Sequence, residues 1–143
     1  MMPREGSFQL PAEEEVDPGQ QDRRHAHRVK RVPASVERHV HLDDGLDLLR
    51  RGEYFAAHEE LELAWRAADA ADKDFFQGLV HVAVAWYQAA RGNRYGCTRQ
   101  LAKAERRLAP FAPAHRGVDV ASLLRQVAAA RAADSLDLPA VRV

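Results

Sequence analysis

Apolar residues recur at helical spacing in four separate stretches of the chain, and the densest of them lie between Gly52 and Asn93. Placed at a hundred degrees per residue, Tyr54, His58, Leu61 and Trp65 fall on one narrow stripe, with Glu62 just beside it. Glu59, Glu60 and Arg66 turn towards solvent. A second segment, Leu79 to Ala90, is apolar almost all round, the mark of a central buried helix. Its polar exceptions, Gln77, His81 and Gln88, share one stripe. A short polar linker carrying Asp69, Asp72 and Lys73 joins the two segments, so they are expected to form an antiparallel αα-hairpin. In that register Trp65 meets Gln77, Glu62 meets His81, and His58 meets Ala85 or Gln88. The polar side chains then line one seam.

Around this hairpin the pattern predicts three further helices. Val36 to Arg51 carries Leu42, Leu46 and Leu49 on one face, with Asp43 and Asp44 placed as N-terminal caps and Gly52 closing the helix. Gly45 is expected to weaken its middle by ~1 kcal/mol relative to Ala. LDLLRRGEYFAAHE is similar to the start of a tetratricopeptide unit, but no second copy follows at a fixed period. Tyr95 to Ala109 turns Leu101, Ala104 and Leu108 inward and Arg99, Lys103, Arg106 and Arg107 outward, before Pro110 and Pro113 stop it. Asp119 caps a last helix to Ala133, with Leu123, Leu124, Val127 and Ala130 inward. SLDLPAVRV should lie extended over the bundle. The fold class is therefore all-α: a small bundle of about five helices over residues 36–143, built on the hairpin, with no sheet.

The same residues carry a resemblance. YFAAHEELELAWR, then FFQGLVHVAVAWYQAARGN, then GCTRQLAKAERRL resembles the prokaryotic domain-of-unknown-function family 309. The motif is matched by His58, Glu59, Glu62, Trp65, Arg66, Gln77, Gly78, Leu79, Gly92 and Asn93. The resemblance implies a small all-helical domain and brings no activity with it.

Composition narrows the setting. The 143 residues fit one domain with tails, and the formal net charge of zero gives no global footprint for nucleic acid or a membrane surface. A single cysteine, Cys97, rules out an internal disulfide and fits a reducing cytoplasm. No apolar stretch is long enough for a bilayer, and the N-terminus lacks a signal-peptide core. Residues 1–35 form a charged tail expected to be disordered, holding several prolines, the acidic run Glu13 to Glu15 and the basic stretch Arg23 to Arg31. That stretch would serve a phosphate-seeking arm or simply balance the acidic half of the tail. The second is favoured, since no aromatics are interleaved for base stacking.

Three function classes follow. The preferred one is a non-enzymatic helical binding or scaffold domain whose His/Glu/Gln seam is a hydrogen-bond network that specifies one packing of the hairpin. The second is a metal-dependent, hydrolase-like enzyme, with His58, Glu62 and His81 holding a divalent transition metal and Glu59 as base. Imidazole and carboxylate suit zinc, iron or manganese. HEELE, however, has Glu62 where the metalloprotease motif needs its second His. The third is a nucleic-acid-associated protein that uses Arg23 to Arg31. The remaining histidines, His25, His27, His39, His41 and His115, fall in tails or linkers, and Cys97 is expected to be packed. A helix as apolar all round as the third also suggests a homo-oligomer that would cover it.

Overall fold

The computed structural model describes residues 33–143. Five α-helices make up this part: α1 (Ala34–Arg50), α2 (Tyr54–Arg66), α3 (Lys73–Ala90), α4 (Arg94–Leu108) and α5 (Val120–Ala132). Residues 1–32 of the tail expected to be disordered, with the basic stretch Arg23 to Arg31, lie outside the described residues, whereas Ala34 and Ser35 at its end belong to α1. Helix α1 begins at Ala34, ahead of the expected Val36. Asp43 and Asp44 are consequently exposed mid-helix residues and cap nothing.

Helix α3 is the core. Phe75, Phe76, Leu79, Val82, Ala83 and Ala85 are fully buried on it, packed between α2 on one side and α4 on the other. The extended C-terminal segment closes a further face, as expected. Trp86 Nε1 donates to the Pro139 carbonyl at 2.8 Å, and Val141 is buried. Gln126 on α5 grips the same segment at both backbone groups of Arg142, donating to its carbonyl at 2.8 Å and accepting from its N–H at 2.9 Å. The apolar girth of α3 is therefore largely covered within the chain.

Two glycines set how closely the helices approach. A Cβ on Gly45 would stand 2.6 Å from Leu61 Cγ, so this residue brings α1 against α2, beyond the helix-weakening role expected of it. A Cβ on Gly78 would stand 2.6 Å from Leu108 Cγ, which places Gly78 at the α3–α4 contact. The turn between those helices uses Gly92 at φ 77° and then Asn93, whose side chain accepts from the Gly96 N–H at 2.8 Å. These are the C-terminal glycine and N-cap that the Gly-Asn pair suggests. Asp119 caps α5 in the same way through the Ser122 N–H.

The expectation of no sheet is corrected in one place. Strands β1 (Ala114–His115) and β2 (Val118–Asp119) pair antiparallel around a two-residue turn, Arg116-Gly117. Both turn residues have positive φ, 49° and 78°, the geometry that suits the right-handed twist of a hairpin. Arg116 holds this conformation while its guanidinium is fastened to buried Asp72, with Nη2 2.6 Å from Oδ2. His115 Nε2 lies 2.8 Å from the other carboxylate oxygen, and its ring packs edge-on against Phe75. Asp72 thus ties the α2–α3 linker to the hairpin before α5. The Arg116 guanidinium, with His115 adding to it, holds the Asp72 carboxyl below its usual range.

Asp72→Ala is expected to cost about 2 kcal/mol near neutral pH, the scale of hydrogen bonds to a charged group. The lowered pKa gives stability that is complete above the ordinary carboxyl pKa and is lost as pH falls through the folded value. Denaturant titration should therefore show the gap between wild type and variant closing only in strong acid. A gap independent of acid would contradict the ion-pair account.

Candidate functional site

A cavity of about 190 Å³ opens where α2 and α4 flank α3. His58 and Glu62 come from α2, and Gln77, Val80, His81 and Val84 from α3. Helix α4 contributes Gln100, Lys103, Arg106 and Arg107. His58, Glu62, Gln77 and His81 of the expected seam therefore meet, and the hairpin register accounts for it: i+4 spacing joins the first two, and the antiparallel return brings His81 opposite Glu62.

The seam has two halves with different character. His58 and Glu62 are buried, with Nε2 and Oε2 3.9 Å apart, and the His58 ring packs on Phe55. Burial lowers the His58 pKa and favours the neutral ring. Gln77 and His81 are only partly buried and reach the open side. His81 Nδ1 donates to Gln100 Oε1 at 2.7 Å, which leaves Nε2 as an acceptor, buried and without a partner among the described residues. Burial pushes the His81 pKa down to about 4, and the neighbouring charges of Lys103, Arg107 and Arg106 add to the effect. At neutral pH the ring carries no charge.

Other expected members of the seam lie elsewhere. Gln88 is fully buried but accepts from Asn93 Nδ2 at 3.1 Å, bracing the α3–α4 turn, because its place near the end of α3 carries it past the cavity. No hydrogen bond joins Trp65 to Gln77 among the described residues. Lys73 contacts Trp65, donating from Nζ to its carbonyl at 2.7 Å with its charge 5.1 Å from the ring centroid. Arg66 forms no ion pair with Glu62 among the described residues, and its Nε is buried without a partner. Glu59 is exposed, away from the cavity.

The α4 side of the cavity departs from the expectation. Lys103, Arg106 and Arg107, expected on a basic outer face, line the cavity together with Gln100. A signal was present: Gln100, Lys103 and Arg107 stand at i, i+3 and i+7, one polar stripe beside the apolar stripe of Leu101, Ala104 and Leu108. Of the histidines expected in tails or linkers, His39 lies exposed inside α1, and two others are structural members of the fold. His41 lies inside α1, buried, with Nδ1 2.9 Å from Glu60 Oε1, and His115 holds Asp72. Cys97 is buried, as expected, and burial raises its thiol pKa.

Among the described residues no three His, Cys, Asp or Glu side chains come together as a group fit to hold a metal ion. His58, Glu62 and His81 share the cavity without forming such a group, and three cations share it with them. What the arrangement offers chemically is a positive rim, one carboxylate, two amides and a neutral imidazole with a free lone pair.

Residues 42–100 match the family model described as Domain of unknown function (DUF309). The span runs from within α1 into α4 and includes every motif residue, the α2–α3 hairpin and the α3 wall of the cavity. Neither the curated proteins nor the solved structures contain a match to the chain. No described helix is long and apolar enough to cross a membrane.

Proposed function

We propose that this domain is a non-enzymatic binding module whose recognition site is the cavity between α2, α3 and α4. The observation that carries this reading is the unpartnered Nε2 of His81. A seam that served packing alone would satisfy that atom, since a buried polar group without a partner costs about 1–3 kcal/mol. Binding sites hold such groups in reserve for a ligand. The half formed by His58 and Glu62 is the structural part of the seam, and the half formed by Gln77, His81 and Gln100 is the part that meets the ligand.

The hydrolase-like reading has less support. Lys103, Arg106 and Arg107 oppose a divalent cation at the same cavity. Glu59, its proposed base, is exposed outside it.

Stability separates a binding site from a packing network. Gln77→Leu is expected to change the unfolding free energy by no more than about 0.5 kcal/mol, or to raise it, because the amide has no hydrogen-bond partner among the described residues to lose. The double variant His81→Leu with Gln100→Leu should be near neutral as well, since both members of the pair are replaced together. Denaturant titration measures both. A loss of about 2 kcal/mol or more in Gln77→Leu would mean that the seam is structural throughout.

A further inference from the structure

A second cavity, of about 390 Å³, lies between α5 and the extended C-terminal segment, and it shares no lining residue with the one between α2, α3 and α4. Its volume falls near the lower end of the ~300–1,000 Å³ typical of small-molecule sites. The chain path creates it. Helix α5 ends at Ala132, the segment returns alongside, and the hydrogen bonds of Gln126 fix Arg142 opposite the helix. Buried Trp86, tied to the Pro139 carbonyl, holds the segment again and forms the floor.

The lining is sorted along its length. One end carries Ser122, Arg125 and Arg142. Arg125 and Arg142 are exposed, and neither guanidinium makes an ion pair among the described residues. The Ser122 hydroxyl accepts from Gln126 Nε2 at 3.3 Å and keeps its own hydrogen to donate. The middle is apolar, with Ala129, Ala130 and Leu138 around the Trp86 ring. Asp137, shortly after the end of α5, marks the far end. Val143 is held away by Arg50 Nε, 3.0 Å from its carbonyl, and lies outside the lining.

Each zone sets one property of a ligand. Two guanidiniums and a hydroxyl gathered at one end suit a carboxylate, whose paired oxygens accept from a guanidinium fork. The apolar middle takes a hydrocarbon body, and removing that body from water favours binding. A second carboxylate at the far end would meet Asp137 and be repelled, and a cationic head would be repelled by the two arginines.

We infer that this cavity binds a small aliphatic monocarboxylate, its carboxylate held by Arg125 and Arg142 and its hydrocarbon chain laid over Trp86 and Ala129. It is a second site, separate from the recognition site between α2, α3 and α4.

Calorimetric titration of the full chain near neutral pH tests this with octanoate, octylammonium and suberate, which share a chain length and differ in charge at their ends. Octanoate is expected to bind at least about tenfold more tightly than either of the others, the worth of one good charge-assisted hydrogen bond. The double variant Arg125→Gln with Arg142→Gln, at exposed positions, should abolish the preference for octanoate over octylammonium. Ala129→Leu, also exposed, places a larger side chain in the groove and should weaken octanoate by about tenfold or more. Octylammonium or suberate binding as tightly as octanoate would overturn the inference, and so would failure of octanoate to bind at millimolar concentration. Octanoate binding that Ala129→Leu leaves unchanged would place the acid elsewhere on the protein and overturn it too. Sedimentation covers the other occupant: a wild-type dimer that dissociates in Ala129→Leu would mean that the groove takes a second copy of the chain instead. The wild-type order of the three probes gives a decision even where a variant does not fold.

Discussion

Acidification is expected to cost the fold about 3 kcal/mol at one side chain. His81 titrates near 6.5 in the unfolded chain and at about 4 when folded, chiefly because burial disfavours the imidazolium. Lys103, Arg107 and Arg106 reinforce the shift by repulsion, whereas the Gln100 hydrogen bond acts against it. The unfolded state therefore binds more protons between these values. Stability is complete above pH 6.5, declines as pH falls through the window, and levels out below the folded value of about 4. At 1.36 kcal/mol per unit the window is worth about 3 kcal/mol. His58, also lowered by burial, acts in the same direction.

Carboxylates titrate at the lower end of this range, so the quantity to measure is a difference. Denaturant titrations of wild type and His81→Gln at a series of pH values should show the wild type losing about 3 kcal/mol relative to the variant. Parallel curves would mean that His81 is protonated as easily in the folded protein as in the unfolded chain. The account of a neutral acceptor in the cavity would fall with it.

The second large effect lies at the α3–α4 contact, beside the cavity. Gly78→Val is expected to destabilise by about 3 kcal/mol, the upper part of the usual range for overpacking. The added Cβ would sit 2.6 Å from Leu108 Cγ and 2.7 Å from Leu108 Cδ2, and 3.4 Å from Arg107 Cβ. Leu108 is fully buried and has nowhere to turn, so the strain falls on the spacing of α3 and α4. A double-mutant cycle identifies the cause. Leu108→Ala alone should cost about 2–5 kcal/mol through its cavity. The two changes together should cost less than their sum by 1 kcal/mol or more, because the new methyl groups occupy the vacated space. Simple additivity would place the effect of Gly78→Val in helix propensity, not in contact with Leu108.

The helices were legible in the sequence because each has an apolar stripe long enough to repeat. The meeting of His58, Glu62, Gln77 and His81 was legible too, since a hairpin with a short linker leaves little freedom of register. The basic wall of the cavity was not read from the sequence. Arg106 and Arg107 look the same whether they face bulk water or a neighbouring helix, and only the crossing of α4 over α3 decides between the two. The β hairpin was beyond reach for a different reason. Two-residue strands have no periodicity, and Arg116-Gly117 becomes a turn through Asp72, a residue far away in the sequence. Gln88 misled because periodicity gives a direction around the helix and not a depth along it.

The order in which the helices touch has a kinetic consequence. Helix α1 packs on α2, α2 on α3, α3 on α4 and α4 on α5, so the main helix–helix contacts join segments that are consecutive in the chain. Closing such contacts needs only short loops, and chains dominated by local contacts fold in about microseconds to milliseconds. The same arrangement lets a nascent chain assemble in the direction of synthesis. Each helix that emerges finds its partner already made, and the α2–α3 unit is in place before α4 arrives to seal it. The long-range ties come last: Arg116 reaches back to Asp72, and the segment around Pro139 lays itself over Trp86. Those late contacts are the ones expected to open first under native conditions, ahead of any separation of α2 from α3.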